Sequence, residues 1–332
     1  MNRRTFIKRT SSLGAVSLLG ISSQSRAETS PPTRKIRLGR SSFICFAPQY
    51  LAEEFLRLEG FDEIEYVPLP PNNTYQSMVA AGGVDLAIFG PTTAVVAIDM
   101  GMPMVIVSGL HAGCWELFAN QRVGGIRDLK GKSIAVIGMG TVDQLWIASM
   151  LAYVGIHPVT DVKWIETGGL SESKHMFLQA KADAFLAFPP QPQEIRLKKY
   201  GHVLVNTTLD RPWSQYFCCM AGMPKSFVER NPAAAKRALR ALLKATDVCA
   251  TDPERVARYL AAKGYEPRYE LGLEVLKSLP FDRWRTDNPA DTLRFHALRL
   301  HDVGMIKNTP EKIITRGTDW RFLNELKKEL KA

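Results

Sequence analysis

The chain has 332 residues, a formal charge of +10 and a hydrophobic fraction of 45%. That length suits two domains, each able to bury its own core. The basic balance is no nucleic-acid footprint, because no stripe of Lys and Arg interleaved with aromatics follows the N-terminus. Residues 34–40 and 194–199 are locally basic but short, and read as solvated faces.

In chain order, the first element is an address. Arg3 and Arg4, followed by Thr5, Phe6, Ile7 and Lys8, closely resemble the twin-arginine export signal. A short apolar run from Leu13 to Ile21 and the small residues around Ser25-Arg26-Ala27 complete it, with cleavage expected after Ala27. The run falls far short of the roughly 20 apolar residues that span a bilayer. Removing residues 1–27 takes away five basic residues and no acidic one, so the charge falls to about +5. No Cys stands near the cut to accept a lipid. The mature chain is therefore expected in the periplasm, free and soluble.

Beyond it, strands are predicted at 36–39, 64–67, 84–89, 105–108 and 114–119, and helices at 48–58, from Asn73 as cap through 81, and from Pro91. This alternation calls for a parallel sheet covered on both faces. A second series follows the loop at Gly124-Gly125, with strands at 133–137, 162–165, 184–188 and 202–206 and helices at 141–154, 171–180 and 193–200. One more strand, 215–221, returns, and from Lys225 onward the chain reads as helical, 233–250 and 253–262 most clearly. A tail of helices with no sheet of its own must pack on an existing lobe, and the first is expected to carry it. The fold class is thus α/β: two doubly wound lobes, residues 34–118 plus 217–332 and residues 119–216, joined by a two-strand hinge. Ligands of such sheets sit beyond the carboxyl ends of the strands, which here face one another across a cleft.

Several segments resemble the periplasmic substrate-binding proteins of ABC importers, in particular the NMT1/THI5-like family of nitrate, alkanesulfonate, taurine and thiamine-precursor binders. They are Ala47 to Ala52, Val84 to Pro91, Ile126 to Val136 with its Asp128-Leu129-Lys130-Gly131-Lys132 core, and Ala182 to Ala187. Phe227 to Pro232 before an Ala-rich helix also fits. The resemblance covers roughly residues 34–260 and implies a type II periplasmic binding protein. Such a protein closes on a small solute as a monomer and delivers it to a permease with a cytoplasmic ATPase, performing no chemistry and needing no cofactor.

Four loops are placed on the cleft. Phe43 and Phe46 follow the first strand and can stack on a solute. Gly90, Pro91 and Thr92 open a helix whose free N–H groups favour an anion or carbonyl, with Thr93 adding a further hydroxyl. Gly140, Thr141 and Val142 do the same in the second lobe; Gly138-Met139-Gly140 lacks the third glycine of a dinucleotide fingerprint, and Thr141 also serves as a helix cap. Phe188 heads a Pro-rich loop, where the resemblance places a residue against the ligand. Trp115 stands near the outward crossing, and Trp146, Trp213 and Tyr216 are further aromatic candidates. None of the four loops holds Lys or Arg, a departure from the sulfonate and nitrate binders. This favours a weakly polar or heteroaromatic solute with one acceptor group, while sulfonate and carboxylate stay open.

Five cysteines in an exported chain leave at least one unpaired within it. Cys114 lies on the outward crossing and Cys218-Cys219 on the return, and only one of two adjacent strand residues can face a partner. Cys114 with Cys219 is the pair named here for a disulfide. The alternatives are buried free thiols, or a soft metal site with His111 and Cys45; no metal is assigned. HExxH, GxSxG, a P-loop and paired carboxylates within one loop are all missing, so no catalytic residue is named. A pyrimidine-synthase-like enzyme or a ligand-sensing module on the same fold are the alternative functions.

Overall fold

The computed structural model describes residues 33–331 except Ser42, Pro71 and Asn72, and excepting the side chain of Leu197. The export-signal reading of residues 1–27 lies outside these described residues.

The first series runs β1 (Lys35–Arg40), α1 (Ala47–Leu58), β2 (Glu63–Pro68), α2 (Tyr75–Ala80), β3 (Ala87–Phe89), α3 (Pro91–Asp99) and β4 (Met104–Ala112). The second runs β5 (Glu116–Ala119), β6 (Ser133–Val136), α4 (Val142–Tyr153), β7 (Lys163–Glu166), α5 (Leu170–Leu178), β8 (Ala184–Ala187), α6 (Gln191–Lys198) and β9 (His202–Asn206). The return strand β10 (Phe217–Pro224) leads into α7 (Lys225–Arg230), α8 (Pro232–Thr251), α9 (Pro253–Ala262), α10 (Tyr269–Ser278), α11 (Pro289–Asp302), α12 (Pro310–Gly317) and α13 (Arg321–Glu329). Thr74, not Asn73, caps α2, its hydroxyl accepting from the Ser77 N–H while Ser77 accepts from the Thr74 N–H.

The two sheets share one plan. The second has the order β7-β6-β8-β5-β9. In the first, β1 pairs with β2, β3 pairs with β10 and β10 with β4, while a bridge from Leu38 to Leu86 joins the two parts. Each sheet is thus ordered second, first, third, crossing, fourth. The crossing strand runs antiparallel to its neighbours in both: β10 against β3 and β4, β5 against β8 and β9. The expectation of wholly parallel sheets therefore fails at one strand in each. That strand arrives from the other sheet, and so enters from the opposite end.

Gly113 and Cys114, with φ of 75° and 103°, turn the chain out of β4. A Cβ on Gly113 would meet the Thr208 backbone at 2.8 Å, so the turn needs glycine on two counts. All of β5 then belongs to the second sheet, so the outward crossing comes before Glu116, ahead of the expected boundary at residue 118.

Helix α8 packs on α1 through an Ala- and Leu-rich face. Leu51 and Leu56 of α1 and Leu239, Leu242 and Leu243 of α8 are all wholly buried; each such Leu contributes about 2 kcal/mol. Arg240 closes this seam with a 2.7 Å ion pair to Glu59. The helical tail was expected on the first lobe alone. Instead α11 lies on both α3 and α4, with His296 Nδ1 2.9 Å from Ser149 Oγ.

Candidate functional site

The carboxyl ends of β1, β2, β3, β6 and β8 open on one cavity of about 470 Å³, within the roughly 300–1,000 Å³ range of small-molecule sites. The loop after β1 contributes Phe43 and Phe46, the end of β3 contributes Phe89 and Gly90, the loop after β6 contributes Ile137 to Val142 in part, and the end of β8 contributes Phe188. A hydrophobic strand must change chemistry where it leaves the sheet, and the glycines here let backbone approach the space between the sheets.

Aromatic rings form one side. Phe188 meets Phe43 edge-on with centroids 4.4 Å apart, and Trp115 at 4.6 Å. Phe43 also touches Phe46 at 5.5 Å. Three segments distant in sequence thus interlock around Phe188.

The polar side is made by two helix starts. Gly90 precedes α3 and Thr141 precedes α4, and no side chain caps either. Both starts carry the positive end of the helix dipole; Pro91 has no N–H to offer, so α3 presents those of Thr92 and Thr93, while in α4 the Asp143 carboxylate takes part of the first-turn donor capacity. Thr93 Oγ1 donates to the Gly90 carbonyl at 2.9 Å and accepts from the Gln76 amide. The Thr141 hydroxyl lies 2.6 Å from both the Gly138 carbonyl and Asp143 Oδ1. Burial raises the Asp143 carboxyl, opposed by that hydroxyl and by the Ile137 N–H at 2.8 Å. The N–H groups of Met139 and Gly140 are spent on Glu166 and Gln144, which leaves the helix starts as the polar handles. No Lys, Arg, Asp or Glu lines the cavity among the described residues.

Of the residues named from sequence, Phe43, Phe46, Gly90, Trp115, Gly140, Thr141, Val142 and Phe188 lie on the wall. Pro91 and Thr92 do not: both are buried inside the first turn of α3, and Thr93, about 100° further round the helix, takes the place expected of Thr92. Trp146 packs on His296 directly behind Gly90, Trp213 packs on Tyr153, and Tyr216 stacks on Phe295; none of the three is itself on the wall. Sequence reasoning missed Leu69, directly after β2, and Tyr75 and Gln76 in the first turn of α2; Met139 lies in a loop it placed on the cleft but was not singled out. The Thr74–Ser77 capping box could have marked the start of α2, and Thr74 itself lies on the cavity wall.

The cysteines correct a second expectation. Cys114 is bonded to Cys218, not Cys219. The ladder between β10 and β4 pairs Phe217 with Ala112 and Cys219 with His111, leaving Cys218 as an extra bulged residue. A bulge reverses the alternation of faces, and so exchanges the roles of the two thiols. Cys218 and Cys219 both reach the cavity wall. Cys219 Sγ lies 3.8 Å from Cys45 Sγ. Burial opposes its ionisation, but hydrogen bonding to Cys45 and the charge of His111 hold its thiol below the ordinary value. Burial, then Cys219, pushes Cys45 up.

The NMT1/THI5-like family model matches residues 45–256. No curated protein matches the chain by sequence. Among solved structures, the periplasmic nitrate-binding protein NrtA from Synechocystis PCC 6803 superposes with a TM-score of 0.72 at 17% identity, over 91% of this chain and 90% of that one. The alkanesulfonate-binding protein SsuA from Xanthomonas axonopodis pv. citri, bound to MOPS, gives 0.67 at 14% identity, over 84% and 96%. The desulfurization enzyme DSZB gives 0.62 at 11% identity, over 90% and 100%. At these identities the likeness is one of fold, the generic periplasmic-binding-protein architecture.

Proposed function

Because the chain belongs to the NMT1/THI5-like family, we propose that it is a periplasmic solute-binding protein that captures a small organic molecule between its two sheets and delivers it to an ABC permease. Export through the twin-arginine pathway, with cleavage after Ala27, belongs to the same reading. The observation that carries it is the cavity itself: rings on one side, two helix starts without side-chain caps on the other, and, among the described residues, no charged side chain on its wall. A strongly anionic solute would enter with no cation to offset its lost hydration. A heteroaromatic or weakly polar solute fits better, its ring against Phe43, Phe188 and Trp115 and a carbonyl or carboxylate at the start of α3 or α4.

Thermal-shift screening with native mass spectrometry tests this, comparing aromatic carboxylates and amides with nitrate and alkanesulfonates. A stoichiometric complex with an aromatic solute is expected, raising the melting temperature by several degrees. Phe188→Leu removes ring contacts of about 1 kcal/mol and should weaken it about fivefold. Gly90→Val places a Cβ 3.0 Å from Val142 and covers the start of α3, so it should weaken binding further. Tight binding of nitrate or a small alkanesulfonate alone, or unchanged affinity in both variants, would overturn the assignment. Catalytic turnover instead of stoichiometric uptake would favour an enzyme.

A further inference from the structure

Three side chains from separate elements converge beside the cavity in a way that solute capture does not use. Cys45 sits in the short helical turn before α1, His111 near the end of β4, and Cys219 in β10. One donor atom from each lies within 4.8 Å of the other two, and none of the three residues is more than 2% exposed. We propose that Cys45, His111 and Cys219 form a binding site for a thiophilic divalent cation, Zn²⁺ above all, held by two thiolates and one imidazole with a fourth position left for another donor.

The spacing fits the ion. Two thiolates at about 2.3 Å from a tetrahedral Zn²⁺ stand about 3.8 Å apart, and the Cys45 and Cys219 sulfurs are separated by 3.8 Å. The imidazole is prepared in a second way. His111 Nδ1 lies 3.1 Å from the Ala112 carbonyl, and donating there leaves Nε2 as the lone-pair nitrogen. A metal-bound histidine is held in this manner, its other N–H given to a backbone carbonyl. Among the described residues Nε2 is buried with no well-aligned hydrogen-bond partner, and a cation would supply one.

Charge selects a divalent ion. Two thiolates neutralise Zn²⁺ completely, whereas a monovalent ion would leave a net negative charge on largely buried groups. Loading the cation expels the two protons that the three groups carry beyond two thiolates and a neutral imidazole. Nothing is oxidised or reduced. The bulge at Cys218 makes the site available, because it sends Cys218 to Cys114 and leaves Cys219 facing His111. The site does not depend on the solute reading, although Cys219 borders both.

The test uses the full folded chain, stripped with a chelator and titrated with Zn²⁺ against a chromogenic competitor, with Co²⁺ as a spectroscopic probe. One Zn²⁺ per chain is expected, and Co²⁺ should give thiolate-to-metal charge-transfer bands. Cys45→Ser and Cys219→Ser should each weaken Zn²⁺ binding by more than about 100-fold. Cys249→Ser, in α8 and outside the triad, should leave it unchanged. If the serine variants fold poorly, the Co²⁺ spectrum of the unsubstituted chain still reads thiolate ligation directly. Absence of stoichiometric Zn²⁺ uptake, absence of the bands, or a peptide map of freshly purified protein joining Cys45 to Cys219 would each overturn the site. The solute screen, run on metal-free protein, fails or succeeds separately.

Discussion

Asp183, at the start of β8, gathers the amino-terminal edge of the second sheet. Its carboxylate accepts from the Ser133 N–H at 3.0 Å and hydroxyl at 2.8 Å, from the Asn120 amide at 2.9 Å, and from Arg122 at 2.7 Å. Burial alone would raise its pKa, but these donors outweigh burial and hold it at about 2. A carboxyl depressed from 3.8 to about 2 contributes roughly 2 kcal/mol near neutrality. Because the folded-state value is the lower one, that contribution is complete above pH 4 and drains away as pH falls toward 2. About 1 kcal/mol of it is gone by pH 3. Asp183→Asn removes the charge and turns an NH₂ group toward other donors, so it should cost about 2 to 4 kcal/mol at pH 7. Urea unfolding followed by tryptophan fluorescence, at pH 7 and pH 3, measures both terms. The gap between wild type and variant should narrow by about 1 kcal/mol at pH 3. A gap that stays constant would refute the argument that the carboxylate is held ionised by its donors. Solute affinity should not change, because Asp183 lies at the opposite end of its strand from the cavity.

Other outcomes follow from the same structure. His296 is wholly buried, and burial with the nearby Arg299 pushes it down to about 3. Its folded-state value is the lower one, so stability should fall by up to about 1.4 kcal/mol per pH unit below 6.5. In His296→Gln that slope, read by chemical denaturation between pH 6.5 and 4, should flatten; an unchanged slope places the titration elsewhere. Thiol titration in denaturant should find three free thiols before reduction, from Cys45, Cys219 and Cys249, and five would exclude the Cys114–Cys218 bond. That bond closes a separation of 104 residues, so its reduction should destabilise the chain by up to about 4 to 5 kcal/mol. A melting temperature indifferent to reductant would contradict this.

Much of the site was legible because strand ends carry their own punctuation. Phe89-Gly90-Pro91 marks the end of an apolar run and the start of a helix, and Gly140-Thr141 does the same after β6. Those local signals place Gly90, Thr141 and Phe188 at carboxyl ends, where α/β sheets bind ligands. The orientation of Thr92 against Thr93 was not legible. It depends on how α3 is rotated against α2 and β10, which only packing sets. Tyr75 and Gln76 were missed for the same reason, because they reach the cavity from the first turn of α2 and not from the end of a strand, whereas Leu69 directly follows β2 and was passed over at a strand end.

The sequence by itself determined the alternation of strands and helices, the two-lobed α/β class and the uncharged character of the binding loops, because each is written in residue type and period along a single segment. Tertiary structure decided what depends on pairing between distant segments. It turned the crossing strands antiparallel, laid α11 across both halves, and set the register in which Cys218 bulges from β10. That one-residue slip gives Cys218 to Cys114 and Cys219 to His111 and Cys45. No local pattern encodes it, because a bulge is fixed by the partner strand and not by the residues that form it.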